Sequence, residues 1–405
     1  MSTRSELYHC FGLGVVDVTR VDHEDGQTVF HARHRRERIV CPVCRSGSVI
    51  CQGSVERPLR LPPIGKRKVT VCFTVQRVEC SLCGGVRQEH LVFAEPYKRY
   101  TRSFARYVLD LSRIGTVKDV ARHLGVSWDL VREIQQKDLE RRRDQIDLKA
   151  VRHVGIDELA VGKAHRYVTV VLDMDSGAVI HVADGKGADS IKPFLRRLKR
   201  CGACVEAFVV DMGQAYPAAV AEVFPHVDLV YDRFHVVKLM NDKLSELRRD
   251  LQRELTEKRH KDVLKGTRWL LLKNPENLDP SKGECDRLQE ALALNRPLAT
   301  AYYMKEDLRR FWDFLDAPEA ERHLDIWIRR AETSGIAVLK TMARTLQINR
   351  RGLLNWYKHR ISNGPLEGFN NKAQLMKRQA YGYRNMEFYK LKLLTLHQTE
   401  VALVG

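Results

Sequence analysis

The sequence lacks any apolar run that approaches the roughly 20 residues of a membrane-spanning helix. Its first ten residues, MSTRSELYHC, lack the apolar segment of a secretory signal peptide. Acidic residues are outnumbered by basic ones, with 51 Asp and Glu against 69 Lys and Arg, which gives a net charge of +18. We therefore expect a basic protein that stays in the cytoplasm and has no membrane partner.

At 405 residues the chain is too long for one ordinary domain, and 44% hydrophobic residues are typical of a globular protein. The basic excess is concentrated near the N-terminus, where residues 31–106 contain 16 Lys and Arg and five Asp and Glu. Such a local excess is typical of a region that binds a polyanion. A basic surface that serves only solubility is the alternative.

Disulfides are rare in a reducing cytoplasm, so the ten cysteines need another explanation. Four of them form two pairs, Cys41 and Cys44 in CPVC and Cys80 and Cys83 in CSLC. In each pair a tight turn brings both thiolates to one ion, and two such turns complete a closed tetrahedral shell of the kind that holds structural Zn²⁺. Two unrelated pairs of buried cysteines are the alternative.

The other cysteines have no second pair beside them. We expect small buried thiols or strand residues at these positions, Cys10, Cys51, Cys72, Cys201, Cys204 and Cys285. The first three are assigned to strands.

The segment TVKDVARHLGV begins the pattern of a helix-turn-helix. Apolar residues recur at helical spacing from Val117 to Leu124, and Gly125 readily takes the left-handed conformation that ends a helix at a sharp turn. Ser127 is a suitable cap for the next helix. A three-helix bundle without this function produces a similar pattern and stays open as the alternative.

The second helix of this motif is expected to face the major groove of DNA, and its basic C-terminal end is expected to contact phosphates. The candidate DNA-contacting residues are Ser127, Trp128, Arg132, Arg141, Arg142 and Arg143.

After residue 151 the periodicity changes to that of a sheet. Three runs rich in β-branched residues predict a meander of three strands, which a helix and a fourth strand follow. In such a mixed sheet the fourth strand can lie beside the first. Asp157 in the first strand and Asp211 at the end of the fourth would then converge on one side of the sheet.

Two carboxylates that lie close together repel each other unless a cation holds them. Carboxylate oxygens suit Mg²⁺ or Mn²⁺, so we expect a divalent metal ion at Asp157 and Asp211. A strand-end or capping role explains either aspartate taken alone. Glu158 is not counted as a ligand, because successive side chains of a strand point to opposite faces.

A third carboxylate is available in Glu367. The preceding Ser362-Asn363-Gly364-Pro365 has the composition of a helix start, with proline in the first turn. A glutamate on a helix that packs against the sheet can reach the two aspartates. The alternative is a glutamate that only benefits from the positive end of the helix dipole.

Residues 242–354 are rich in Leu, Lys, Glu and Arg at helical spacing and predict an all-helical region. Its aromatics occur in TRWLLL, AYYM and RRFWDFL, and we expect them in the core. A role in holding flipped bases or hairpin DNA ends is the alternative.

The chain resembles, over essentially its whole length, bacterial insertion-sequence transposases of the DDE type, and specifically the ISL-three family. The segments that carry the resemblance are VGIDE, VVDMGQAY, YDRFHVVK, LKGTRWLLLKNPENL, YYMKEDLRRFW and ISNGPLEGFNNKAQLMKRQAYGYRN, together with the cysteine pairs and the helix-turn-helix. Only the last of these segments is specific by itself.

The resemblance implies a ribonuclease-H-like core whose metal-binding Asp, Asp and Glu are Asp157, Asp211 and Glu367. It also implies an auxiliary role for Asp232 and His235, which match an Asp-x-x-His signature and would orient groups around the metal or the scissile phosphate. A buried structural pair is an equally good interpretation of those two residues.

The expected fold is thus a multidomain α/β protein. A β-rich zinc ribbon is assigned to residues 1–95 and the helix-turn-helix domain to residues 96–148. The ribonuclease-H-like mixed-sheet core is assigned to residues 149–241 and 355–405. The all-α insertion at residues 242–354 interrupts this core.

The resemblance implies a transposase that binds the terminal inverted repeats of its insertion sequence, cleaves the strands there and joins them to target DNA by two-metal-ion phosphoryl transfer. We expect a homodimer or higher oligomer on DNA, associated with the bacterial nucleoid. Two alternatives are a zinc-containing repressor, which leaves the three carboxylates unexplained, and a metal-dependent nuclease that cuts without joining. Strand transfer distinguishes all three.

Overall fold

The structure is a computed structural model that describes residues 8–14, 16–162, 166–256, 258–362 and 364–398. The chain folds into two compact units. Unit 1 consists of the residues up to Arg142 together with Arg378–Gly382, and unit 2 consists of Arg143–Lys377 and Tyr383–Gln398. Within the described ranges, none of the helices is both long enough and apolar enough to cross a membrane.

Unit 1 begins with a mixed five-stranded sheet. Its strands are β1 (Val16–Glu24), β2 (Gln27–His34), β3 (Val49–Ile64), β4 (Arg67–Cys80) and β5 (Val86–Gln88). The order is β1-β2-β4-β3, β5 also pairs with β4, and β2 runs parallel to β4. Val69, Val71 and Phe73 alternate with more exposed residues and are fully buried, as expected of a strand with one face on a core.

The helices of the predicted helix-turn-helix follow this sheet. They are α1 (Arg102–Leu111), α2 (Val117–Leu124) and α3 (Trp128–Asp144). Thr116 and Asp119 form a reciprocal capping box at the start of α2, and Gly125 ends it in the left-handed conformation at φ 61°. The Ser127 hydroxyl accepts a hydrogen bond from the Leu130 N–H at 3.2 Å, so the expected capping residue is confirmed.

Unit 2 contains the second mixed sheet. Its strands are β6 (His153–Ala160), β7 (Tyr167–Asp173), β8 (Val179–Asp184), β9 (Ala207–Val210) and β10 (Asp228–Tyr231). The order is β10-β9-β6-β7-β8, in which β6, β7 and β8 form an antiparallel meander and β9 runs parallel to both β6 and β10. The fourth predicted strand therefore does lie beside the first.

Helices make up most of the remaining described chain of unit 2. They are α4 (Ala188–Arg200), α5 (Ala215–Val223), α6 (Arg233–Glu254), α7 (Lys258–Gly266), α8 (Arg268–Leu272), α9 (Glu284–Leu294), α10 (Arg296–Arg309), α11 (Ala317–Thr333), α12 (Ala337–Ile348), α13 (Arg350–His359), α14 (Gly364–Gln379) and α15 (Met386–Leu394). The predicted start of α14 is confirmed at Gly364 and Pro365, whereas Asn363 lies outside the described residues.

The cysteine expectations outside the two pairs are partly wrong. Cys51 and Cys72 lie in β3 and β4, but Cys10 is helical, in a Tyr-His-Cys-Phe stretch without a β-branched residue to favour a strand. Cys204 and Cys285 are exposed rather than buried. Cys285 lies between the charged Glu284 and Asp286. Ala203 and Val205 on either side of Cys204 pack against the core, whereas Cys204 itself is exposed.

The aromatic residues between β10 and α14 divide into two groups. Tyr302, Phe311 and Trp312 are buried as expected. Trp269 and Tyr303 are instead 66% and 54% exposed. Tyr302 and Tyr303 are consecutive in α10 and point about 100° apart, and here Tyr302 faces the core whereas Tyr303 faces solvent.

Helix α13 packs so closely on β10 that a glycine is required at the contact. A Cβ on Gly352 would lie 2.3 Å from Cε2 of the buried Tyr231. We expect Gly352→Ala to destabilise unit 2 by about 1–3 kcal/mol, the usual cost of overpacking. Gly368→Ala is the control, because Gly368 is also helical and has nothing within 4 Å of such a Cβ, so its helix should gain about 0.5–1 kcal/mol. Thermal unfolding measures both, and equal melting temperatures would contradict the contact.

Candidate functional site

The two predicted aspartates lie level with each other on neighbouring strands. In the parallel pair of β6 and β9, Gly155 is paired with Val209. Continuing this register by two residues places Asp157 beside Asp211, which directly follows β9. Because side chains alternate along a strand, both aspartates lie on the sheet face that carries Gly155.

Helix α14 packs on that same face. A Cβ on Gly155 would lie 3.1 Å from Leu366 Cδ1, and the Asn370 side-chain amide donates to Asp157 Oδ2 at 2.7 Å. Glu367 lies between Leu366 and Asn370, three residues before the latter and thus about one helical turn from it. The helix that carries Glu367 is therefore fixed against the strand that carries Asp157, and the Glu367 side chain is exposed.

The three carboxylates do not form one compact cluster. Among the described residues, they are not a group in which all ligand oxygens lie within 4.8 Å of one another. The Asp157 carboxylate instead accepts from the Asn370 amide and from the Glu158 N–H at 2.7 Å, and Asp211 accepts from the Gly213 N–H at 3.2 Å. These donors compensate charges that would otherwise repel each other.

Asp232 and His235 form a hydrogen-bonded pair beside the aspartates. Asp232 is buried and caps α6 by accepting from the Phe234 N–H, and its other oxygen lies 2.8 Å from His235 Nδ1. That hydrogen bond raises the pKa of His235 against the opposing effect of burial, and the charges of Asp157 and Asp211 raise it further. His235 is therefore within electrostatic reach of both aspartates.

Glu158 lies on the opposite face of β6, as expected from strand alternation. Its Oε1 accepts a hydrogen bond from the Tyr216 hydroxyl at 3.0 Å, on the side where α5 packs. Burial raises the pKa of Tyr216 to about 12, so this hydroxyl remains a donor at neutral pH.

The four cysteines of the two pairs do come together. Cys41 and Cys83 are 3.5 Å apart between sulfurs, as are Cys44 and Cys80, and all four sulfurs lie within 4.8 Å of one another. Both pairs use the same turn, because the backbone N–H of Arg45 donates to the Cys41 carbonyl and that of Gly84 donates to the Cys80 carbonyl, each at 3.0 Å. This group is a site that can hold a metal ion.

The thiols of this cluster perturb one another. Backbone N–H groups of Cys44 and Val43 lower the pKa of Cys41 to about 6, and those of Cys83 and Leu82 lower the pKa of Cys80. The contact with Cys41 raises the pKa of Cys83 to about 12. The first thiolates to form thus disfavour the others, which is the electrostatic situation that a bound cation relieves.

The candidate DNA-contacting side chains differ in their present partners. The half-exposed indole of Trp128 has the Arg132 guanidinium 5.3 Å from its ring centroid. Arg141 and Arg142 are both paired with the buried Asp138, at 2.5 and 2.8 Å. A phosphate that bound Arg141 and Arg142 would therefore have to share them with Asp138.

Arg143 is paired with its neighbour Asp144 at 3.0 Å, and Ser127 uses its hydroxyl as the helix cap.

The sequence analysis missed one contact at the carboxylate site, the hydrogen bond that Asn370 donates to Asp157. Its only signal in the sequence is the spacing of three residues from Glu367, which places both on neighbouring positions of one helix surface.

Comparisons with known proteins agree with this architecture. A family model described as "Transposase" matches residues 154–393, and one described as "Helix-turn-helix domain of transposase family ISL3" matches residues 89–137. The transposase for insertion sequence element IS1001 of Bordetella parapertussis is 32% identical over 358 residues, which are 88% of this chain and 88% of that protein.

The transposase for insertion sequence element IS1557 of Mycobacterium tuberculosis is 27% identical over 409 residues, covering 93% of this chain and 90% of that one. A chain of the Drosophila P element transposase strand transfer complex matches with a TM-score of 0.36 at 11% identity, over 74% of this chain and 92% of that one.

The mixed α/β fold, the helix-turn-helix and the family matches define a DNA-binding transposase. More particularly, the chain belongs to transposase family ISL3, a family of DDE transposases, which cleave DNA strands and transfer them.

Proposed function

We propose that this transposase binds the terminal inverted repeats of its insertion sequence, cleaves the strands at those ends and joins them to target DNA by two-metal-ion phosphoryl transfer. The observation that carries the proposal is the register of β6 and β9, which sets Asp157 level with Asp211 on the face where α14 packs. That arrangement supplies two carboxylates from the sheet and a third, Glu367, from the helix.

The proposed domain structure follows from the same topology. The sheet and α14 would form a ribonuclease-H-like core of residues 149–241 and 355–405, with residues 242–354 as an all-α insertion. Support comes from the strand order β10-β9-β6-β7-β8 and from the helical chain between β10 and α14. Residues 1–95 would be the zinc ribbon and residues 96–148 the helix-turn-helix domain.

The residues at the carboxylate site fit Mg²⁺ or Mn²⁺, because these ions take oxygen ligands and keep part of their water. Asp157, Asp211 and Glu367 would hold the ions, and all three are at least partly accessible to solvent. Such ions, when bound, would supply Lewis-acid stabilisation of the charge that develops at the transferring phosphate.

The neighbouring side chains would position this site. The Asn370 amide holds one oxygen of Asp157, which fixes the carboxylate's orientation. Asp232 holds the ring of His235 through Nδ1 and favours its protonated form. A protonated His235 would hold a positive charge beside Asp157 and Asp211, where phosphate oxygens must approach.

Removing one carboxylate tests the catalytic assignment. We expect Asp157→Asn, Asp211→Asn and Glu367→Gln each to reduce both strand cleavage and strand transfer to background, because both steps would use the same ions. Binding of the DNA ends should persist, since the helix-turn-helix precedes these residues. The measurement is a gel assay of cleavage and joining with Mg²⁺ at matched DNA occupancy.

Glu158→Gln is the matched control, because it makes the same change next to Asp157 on the opposite face of β6 and should retain most activity. Asp232→Asn should reduce cleavage by about 10–100-fold, by analogy with residues that orient metal ligands, because Asp232 orients His235 beside the site. Wild-type cleavage in any of the three main variants would remove that residue from the site. Cleavage without joining by the unmodified protein would favour the nuclease alternative.

The four-cysteine cluster would hold one structural Zn²⁺, because four thiolates close the tetrahedral shell and leave no position for a reactant. Structural zinc contributes about 10–16 kcal/mol of apparent binding free energy in small zinc peptides. Cys80→Ser should therefore lower the zinc content by one ion per chain and loosen β3, β4 and β5 locally.

Elemental analysis of the purified protein and limited proteolysis measure these two effects. Cys204→Ser, a change at an exposed cysteine outside the cluster, should keep the zinc content of the unmodified chain. Equal zinc content in Cys80→Ser and Cys204→Ser would contradict the assignment.

The helix-turn-helix would place α3 in the major groove, where Trp128 and Arg132 lie together on its first turns. Ser127, Arg141, Arg142 and Arg143 would be at or near the phosphates. A homodimer or higher oligomer assembled on the two ends, in the cytoplasm at the nucleoid, completes the proposal. The non-catalytic repressor disagrees with membership in a family of DNA-cleaving enzymes.

Arg132→Ala should weaken binding to the cognate end by about 1–3 kcal/mol and binding to random DNA by less, because a base contact is lost in the first case only. Arg132→Lys retains the charge without the planar guanidinium and should behave like Arg132→Ala on the cognate end. Fluorescence anisotropy at fixed salt measures both DNAs. Equal losses on cognate and random DNA would make Arg132 a phosphate contact.

A further inference from the structure

We propose a second zinc site, formed by His153, Glu206 and His359 and separate from both the four cysteines and the carboxylates. One ring nitrogen of each histidine and one carboxylate oxygen of Glu206 lie within 4.8 Å of one another. His153 is the first residue of β6, Glu206 immediately precedes β9, and His359 is the last residue of α13. The site therefore joins three elements of unit 2 that are distant in sequence.

One ring nitrogen of each histidine lies beside an aspartate outside the proposed ligand set. His153 Nδ1 lies 2.7 Å from Asp175 Oδ1, and its Nε2 lies 3.7 Å from Glu206 Oε2. His359 Nε2 lies 3.0 Å from Asp228 Oδ2, so Nδ1 is the nitrogen that we assign to the metal. A metal-binding histidine typically donates its other N–H to a carboxylate in this way, which fixes the tautomer and the ring orientation.

The neighbouring cations do not occupy the oxygen that faces the histidines. Arg152 binds Glu206 through Oε1, at 2.5 and 2.8 Å, and so leaves Oε2 directed at His153. Lys358 lies 2.6 Å from Asp228 Oδ2 and neutralises a residue that supports the site from outside. Both cations thus pair with carboxylate oxygens other than Glu206 Oε2.

The donor set favours Zn²⁺ over Mg²⁺, because imidazole nitrogens suit zinc and oxygen-only shells suit magnesium. Two ligands at about 2.0–2.2 Å from one zinc ion are at most about 4.4 Å apart, so the 3.7 Å between His153 Nε2 and Glu206 Oε2 already fits. The His359 side chain is 6% exposed and that of Glu206 43% exposed, so the fourth position would open to solvent.

A zinc ion at this position would connect two elements that lead to the carboxylate site. His153 precedes Asp157 by four residues of β6, about 13 Å along the strand, so this site is separate from the carboxylate site. His359 precedes Glu367 by eight residues, at the end of the helix that leads into α14. A bound ion would fix that connection to the start of β6.

The test is equilibrium dialysis of the full chain against buffered free Zn²⁺, followed by elemental analysis. The unmodified protein should bind one more zinc ion than Glu206→Gln or His153→Gln, while Cys80→Ser should lose a different ion and keep this one. Glu206 is partly exposed, so its replacement by an amide of equal size should fold. The measurement does not depend on the proposed catalytic function, because it counts bound zinc and uses no DNA.

Three further variants separate a metal site from a cluster of ion pairs. Asp175→Asn should weaken the second zinc affinity by about 10–100-fold. Arg152→Gln breaks the same ion pair as Glu206→Gln but keeps the ligand, so it should retain the ion. His226→Gln, at an exposed histidine of the same unit, should change nothing. In Co²⁺-loaded protein that retains zinc at the cysteines, visible d–d absorption without thiolate charge-transfer bands is expected.

Equal zinc stoichiometry in the unmodified protein and Glu206→Gln would overturn the proposal and leave a salt-bridge cluster. A parallel loss of zinc in Arg152→Gln and Glu206→Gln, or thiolate bands in the cobalt spectrum, would also overturn it.

Discussion

The parallel pairing of β6 with β9 is the constraint on which the candidate site depends. A shift of one residue in that pairing would turn one aspartate to the opposite face, because the side-chain period of a strand is two. The absence of a side chain at Gly155 lets Leu366 of α14 approach β6 closely. Register and close approach together bring Asp157, Asp211 and the helix of Glu367 onto one face.

Asp157, Asp211 and Glu367 are carried on one face of this sheet and the helix packed on it, in a chain whose net charge is +18. Backbone N–H groups and the Asn370 amide donate hydrogen bonds to the carboxylates of Asp157 and Asp211. The hydrogen bond with Asp232 raises the pKa of the nearby His235. In the proposed site these donors compensate the repulsion between the carboxylates, whose remaining oxygen atoms would bind a cation.

The cysteine cluster of unit 1 follows the same physical logic with softer ligands. Two copies of one turn, ending at Arg45 and Gly84 with φ of 60° and 67°, bring four sulfurs together across β3 and β4. The pKa of Cys41 is lowered by backbone N–H groups, and that of Cys83 is raised by its contact with Cys41, as expected where one thiolate disfavours the next. In both proposed sites a metal ion would compensate groups that carry charge of the same sign.

Local sequence patterns determined much of this protein. Residue type and spacing predicted the cysteine pairs, the capped helices around Gly125, the strand that carries Asp157, the strand that Asp211 follows, and the helix start before Glu367. Caps, turns and alternation could be predicted because they depend on neighbouring residues. The tertiary structure decided the contact of Asn370 with Asp157, the exposure of Trp269 and the meeting of His153 with His359. Those features depend on which distant surfaces pack together, and a single sequence carries no local signal for that packing.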